Sequence, residues 1–516
     1  MKGKRNEIFP NFLIHKTNLK MKNKKTTPVF IALLNVFSFP LFAQSPIIYD
    51  VVLLGGRVID PETKLDAIRN VGILNNRIAQ ISSEPLQGKE IIEVSGLVVA
   101  PGFIDPHIHG ISNQEQEYQL HDGVTTALEL ELGVPFLGEW YASRQAKALI
   151  NYGASANWGF ARMQALAAYP KETLELKQAV ADGSMSSNVT QSTMGISYDK
   201  TLGAEQTQNM LAYIKNDLAA GGIGIGVFIG YVPGAKPEEI FRVYQLAGEM
   251  QATIFSHVRE PNLAAVQQAI SDAVLTNAPL HLVHINSMTL GQIQVGIEMV
   301  QTAQKRGFNI TTELYPYTAA STGLYSNMFS EGWQQRLAMD YKDLQWVATG
   351  ERLTKETFEK YRKTKGTVIM HMMKPEWIKV GIGAKGVLIG SDGMTYAQLA
   401  HPRTAGTFTR VLGKYVREDK VLDLPTAIEK MTYLTAKMLE KVAPMMRFKG
   451  RIQVGADADI TIFNPNTVID KATFEEGLKF SEGIEHVMVN GSFVLKNGQT
   501  VSNVFPGQAV YGKFKK

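Results

Sequence analysis

Pro101-Gly102-Phe103-Ile104-Asp105-Pro106-His107-Ile108-His109 is the stretch on which the fold turns. Its apolar opening has strand character, and alternate residues of a strand point to one face. His107 and His109 therefore project together, at the end of an apolar run, and can share one metal ion. A parallel (β/α)8 barrel builds its chemistry at the C-terminal ends of its strands, so a histidine pair placed there has a ready role. Read singly, either histidine could equally be a structural residue.

Working outward, apolar strand-length runs such as 253–256, 280–283 and 387–390 alternate with helix-length amphipathic stretches. That repetition predicts an α/β chain with a (β/α)8 TIM barrel over residues 101–444. Ahead of it lie short β-like pieces at 51–54, 71–74, 77–81 and 91–94, with turn signals at Gly55-Gly56 and Asn75-Asn76. Short strands return at 459–463, 486–489 and 492–495. Residues 44–100 and 445–516 are thus expected to form one small β-sandwich domain from both chain ends. The charged stretch 328–364 is helix-prone and is expected to lie over the site as an insertion.

The first residues read as an export signal. Lys22, Lys24 and Lys25 precede an apolar run over 29–41 that ends at Ala43, before Gln44 and Ser45. Residues 1–43 are taken as a signal peptide with a leader, Met21 being an alternative start and a retained anchor the alternative reading. The run is short for a bilayer span. Cleavage would leave an exported, periplasmic or secreted protein with no membrane span. It would also remove eight Lys/Arg and one Glu, lowering the formal charge from +5 to −2, so the apparent basicity gives no reason to expect nucleic acid as a partner. The 516 residues contain no cysteine, which excludes thiolate ligands and cysteine nucleophiles. Any metal must be held by nitrogen and oxygen.

Further candidates follow the same logic of polar residues ending apolar strands. Glu129 and Glu131 share one face of 123–131, and buried carboxylates call for a cation. Glu131, nearer the strand end, is the better placed ligand; pairing with Lys or Arg is the alternative for both. His257 and His284 each close an apolar run and are read as metal ligands, whereas His281 falls on the opposite side of its strand and is read as structural. Asp392 ends 387–391 beside Gly393 and is the candidate general base, with capping of the next helix as the alternative.

In this order the residues resemble the amidohydrolase superfamily, in which a His-x-His strand, two later strand-terminal histidines and a final-strand Asp surround one or two metals. The run 101–109 and Gly455-Ala456-Asp457-Ala458-Asp459-Ile460 look like its entry and exit motifs. Within it the chain resembles the N-acyl-D-amino-acid deacylases, or D-aminoacylases, through Gly230-Tyr231-Val232-Pro233-Gly234, Tyr315-Pro316-Tyr317-Thr318, Ser391-Asp392-Gly393 and His401-Pro402-Arg403 leading to Arg410-Val411-Leu412-Gly413. The resemblance implies one or two divalent ions such as Zn2+, a small acylated amino acid or peptide-like substrate, and Tyr231 and Arg403 as holders of its α-carboxylate. A surface salt bridge is the other reading of Arg403.

Two departures stand out. Glutamates occupy the region where those enzymes place a metal-binding cysteine, which implies Glu131 bridging one ion on His107 and His109 and another on His257 and His284, a single ion being the alternative. Ile285-Asn286-Ser287 follows His284 where the family tends to carry a lysine. The functional expectation is hydrolysis of a linear amide, with a dipeptidase, a cyclic-amide hydrolase or a non-catalytic binding barrel as alternatives.

Overall fold

Eight parallel strands carry the site: β1 Phe103–Asp105, β2 Val124–Val134, β3 Asn151–Asn157, β4 Gly224–Phe228, β5 Thr253–His257, β6 Leu280–Leu282, β7 Ile310–Leu314 and β8 Val387–Ile389. The computed structural model describes residues 47–516 except 365 and 395–399; the expected signal segment lies outside the described residues. Each strand neighbours the next in chain order. Just past the ends of β1 and β8, Ile108 and Gly393 form a parallel bridge and the His109 N–H donates to the Gly393 carbonyl at 2.6 Å. The result is a nearly closed (β/α)8 barrel, as expected from the alternation.

Helices cover its outside, which explains why every position of β2 is buried on both faces. The helix Leu263–Thr276 between β5 and β6 shows the local logic. The Asn262 side chain accepts the Ala265 N–H at its start, Asn277 in the left-handed region ends it, and Ala265, Val266, Ala269 and Ala273 face inward.

Both chain ends build the second unit. Val98–Pro101 pairs antiparallel with Ile460–Phe463, which continues through Ile484–Val489 and Ser492–Lys496. On the other side Ile48–Asp60 pairs with Val98–Pro101, with Leu65–Leu74 and with Gln87–Glu93. The Gly55-Gly56 pair is not the turn expected from the sequence. It is a register shift inside one 13-residue strand, with Gly55 at φ 75°, that lets the strand bend between two partners. Asn75 and Asn76, both at positive φ, do make the expected hairpin turn.

The stretch expected to be helix-prone differs more. It is part of a larger insertion between β7 and β8, with a three-stranded antiparallel sheet of Ala320–Gly323, Leu344–Trp346 and Thr367–Met370. Its own core includes Phe329, Trp333, Leu344, Trp346, Phe358 and Val368. It does stand over the site, since Met328, Leu337 and Met370 line the same cavity as His109 and Glu131.

Candidate metal centre

His107 and His109 follow β1, and Glu129 and Glu131 lie on β2, so two neighbouring strands deliver both pairs to one side of the barrel mouth. Glu131 is the hub. Its Oε2 is 2.9 Å from His107 Nε2 and 3.0 Å from His109 Nε2, while its Oε1 is 2.6 Å from His257 Nδ1 and 3.4 Å from His284 Nε2. Asp392 adds Oδ1 at 3.3 Å from His109 Nε2 and 3.6 Å from His107 Nε2. Two donor groups result, His107, His109, Glu131 and Asp392 on one side and Glu131, His257 and His284 on the other. Every expected ligand is therefore gathered in one place, with Glu131 shared.

The surrounding charges fit cations. Burial pulls His107 down, but Glu313, Asp392 and Glu131 outweigh it and hold the imidazole well above the usual histidine value. His109 is likewise lifted against burial by Glu129, Asp392 and Glu131. Burial raises Glu131, yet His107, His109 and His257 carry it well below the usual carboxylate range. At His257 burial wins and the imidazole is lowered. Four carboxylates, Glu129, Glu131, Glu313 and Asp392, are buried around the histidines, and Asp392 pairs with a guanidinium, that of Arg403. The protons drawn onto His107 and His109 occupy directions a divalent ion would use, and His284 Nδ1 and Glu313 Oε2 lack partners. An imidazole and carboxylate donor set of this kind suits zinc and similar divalent ions.

Other expected residues fall as follows. Among the described residues Glu129 pairs with neither Lys nor Arg; it accepts from His109 Nδ1 at 3.0 Å and from the Leu132 N–H, fixing the ring that presents Nε2 inward. His281, expected to be structural, bonds Thr311 Oγ1 at 2.8 Å outside the cluster, and burial lowers it to about 4. Asp392, at φ 51°, faces the histidines. Burial raises its carboxyl, but Arg403 and the histidines outweigh it and keep it ionised.

Tyr231 lines the cavity, packs its ring at a tilt against His257 and accepts from Thr322 Oγ1 at 3.3 Å. Arg403 is not at the surface: only 1% exposed, it sits 4.8 Å from the Tyr315 ring with Nη1 2.9 Å from Asp392 Oδ2. It does not line the central cavity, and its Nε makes no hydrogen bond.

Glu313 on β7 was not singled out from the sequence. Its Oε1 accepts from His107 Nδ1 at 2.8 Å and from the His284 N–H at 2.7 Å, so one carboxylate orients ligands from both donor groups. The signal was an acid one residue from the end of β7, directly before Tyr315-Pro316.

A parallel barrel whose strand ends gather buried imidazoles around a shared carboxylate defines the class of metal-dependent hydrolases built on this scaffold. The amidohydrolase family matches residues 98–494, and the chain belongs to that family. It is 28% identical to a D-aminoacylase of Alcaligenes xylosoxydans xylosoxydans over 469 residues, 86% of this chain and 94% of that protein. An N-acyl-D-glutamate deacylase of the same organism is also 28% identical, over 86% of this chain and 93% of its own length. Among solved structures, a Bordetella bronchiseptica N-acyl-D-glutamate deacylase complexed with zinc and a phosphonate inhibitor superposes with a TM-score of 0.75. It has 24% identity and covers 90% of this chain and all of that one.

Proposed function

We propose that this chain is a metal-dependent deacylase that hydrolyses the linear amide of an N-acyl-D-amino acid, giving a carboxylic acid and a free D-amino acid. The observation carrying this reading is the Glu131 hub, one carboxylate facing two histidine pairs, with Asp392 on its open side. Similarity to a D-aminoacylase and an N-acyl-D-glutamate deacylase over most of both chains supports the acylated amino acid as substrate class.

His107, His109, His257 and His284 would hold one or two zinc ions with Glu131 between them, and Asp392 would complete the first group. Bound there, a divalent ion polarises the scissile carbonyl and acidifies water. Asp392, kept ionised by Arg403, accepts the proton of the attacking water at Oδ1 and returns it to the departing nitrogen. Arg403 stands behind the cavity wall with its charge against Asp392 Oδ2. The Tyr231 hydroxyl, pushed far above its ordinary value by burial, stays a neutral donor on the cavity wall. Met288, Met328, Met370 and Met372 supply an apolar wall for the substituents.

The test is metal content per chain for wild type and Glu131→Ala, alongside turnover of paired N-acetyl-D- and L-amino acids. Near two ions falling to one or none, with D-selective turnover, is the expected result. A wild-type protein without metal or amide hydrolysis overturns the reading. We further propose export, on the basic and apolar run ahead of Ala43; N-terminal sequencing of the mature protein from the native host should begin at Gln44.

A further inference from the structure

The space beside the ligands continues past them. Gln191 and Tyr231 line the central cavity and also a second one, between the helix Ser187–Met194 with the turn after it and residues 325–327 and 362–364 of the insertion. The central cavity offers only about 40 Å³, the second about 300 Å³. The part of a bound substrate that outgrows the centre has room in the second, or in a third of about 380 Å³ on the far side of His257.

The chemistry of its wall is specific. It carries Arg362 and Lys363 and no Asp or Glu, and neither cation forms an ion pair among the described residues. Arg362 spends one N–H on the Phe329 carbonyl. Two hydroxyls on this wall have no partner: Tyr198, 5% exposed, and Ser326. Buried polar groups in native proteins find partners, so two enclosed orphans on residues that line one cavity mark its edge as a place where a polar ligand or water belongs.

The central cavity is the opposite case. It has no Lys or Arg on its wall, and the charge of Arg403 is directed at Asp392. The cavity on the far side of His257 holds Glu260 beside Arg259, and its Arg336 is taken up by the carbonyls of Met328, Ser330 and Glu331. Of the two cavities that adjoin the centre, the one beyond Tyr231 is thus the one whose described wall offers a substrate carboxylate cations without an opposing carboxylate.

We propose that this side cavity is a second substrate subsite, and that the preferred substrate is an N-acylated peptide whose leaving part runs past Tyr231 and ends in a carboxylate at Arg362 and Lys363. The inference rests on the deacylase reading and adds the length and charge of the leaving part. Water adds across the same amide, so the products are the acyl group's carboxylic acid and a peptide with a free amino end. Tyr198 and Ser326 donate to the peptide's carbonyl oxygens.

The experiment uses the zinc-loaded full chain with three probes: an N-acetyl-D-amino acid, the N-acetyl dipeptide that begins with the same D-residue, and that dipeptide as its C-terminal amide. The dipeptide acid is expected to exceed the single amino acid in kcat/KM by about tenfold or more, a difference two or three added hydrogen bonds can supply, and the amide should lose most of the gain. Lys363→Glu and Tyr198→Phe should each raise KM for the dipeptide acid by roughly three- to tenfold, leaving the single amino acid unchanged. A merely structural role would move both substrates together. Equal turnover of all three probes, or variants indifferent to the dipeptide, overturns the subsite while leaving the deacylase reading intact. Failure to hydrolyse any probe overturns the deacylase reading, and the subsite with it.

Discussion

Glu313 shows how much of a metal site lies behind its ligands. By accepting from His107 Nδ1 it fixes which ring nitrogen is left facing Glu131, and by accepting the His284 N–H it holds the backbone of a ligand from the other group. Glu313→Gln should weaken zinc binding by roughly 10- to 100-fold in a chelator competition, with the fold retained. Asp392→Asn leaves His107, His109 and Glu131 to hold the first ion and should lose about 10²- to 10⁴-fold in kcat even when loaded with zinc, since it removes the proton acceptor. His107 and His109 also predict a pH signature of the metal-free protein. Their folded values stand well above the ordinary 6.5, so the stability they contribute is full below about pH 6.5 and is lost as pH rises through the raised values. Thermal melts of the metal-free chain should therefore fall above neutrality, whereas the zinc-loaded chain, with those protons displaced, should not follow. The ligands were legible in the sequence because each is a polar residue closing an apolar strand. Glu313 was not, because Thr311 and Thr312 before it hide the apolar run and only the barrel's closure brings it to His107.

Elements were legible where periodicity alone decides them and misread where a neighbour does. The barrel strands announce themselves as short apolar runs, but nothing local says that Gly55-Gly56 continues a strand; two partner strands on opposite sides make it bend. The insertion hides its sheet for the same reason, since Leu344–Trp346 is three residues long and holds by pairing with Thr367–Met370 and by bonds to residues 351–353. One barrel element carries a sharper constraint. A Cβ on Gly390, just after β8, would run into Glu313 Oε2 and sit 3.2 Å from His107 Cβ, so this glycine makes the space through which Glu313 reaches its histidine. Gly390→Ala should cost about 1–3 kcal/mol in stability and also lower zinc occupancy, measured by melts and metal content on the same sample. An alanine that left both unchanged would mean that Glu313 does not need this route.

At the scale of the whole molecule, the barrel and the two-ended β-unit meet through a buried polar knot. Lys449, 1% exposed, lies 2.7 Å from Asp459 Oδ2 and 3.1 Å from Asp457 Oδ2. Asp459 also accepts from Asn151 on β3 at 2.9 Å and from the Asn490 N–H at 2.7 Å, and Asn490 Nδ2 donates to Asn151 Oδ1 at 2.7 Å. The acidic exit motif seen in the sequence is thus the joint that pins the returning chain end to the barrel wall. Burial lowers Lys449, but Asp459 and Asp457 more than offset it and raise it above its ordinary value, so the ammonium is charged wherever the protein is folded. Lys449→Met keeps most of the volume and removes the cation that pairs with Asp459, leaving a 2% exposed carboxylate with amide donors among the described residues. Loss of one partner from a buried pair costs about 3–5 kcal/mol. Because the knot ties both units, the loss should appear as a lower midpoint of one shared unfolding transition in denaturant. Separate transitions, with the barrel unaffected, would show that the β-unit melts alone and that the knot does not couple them.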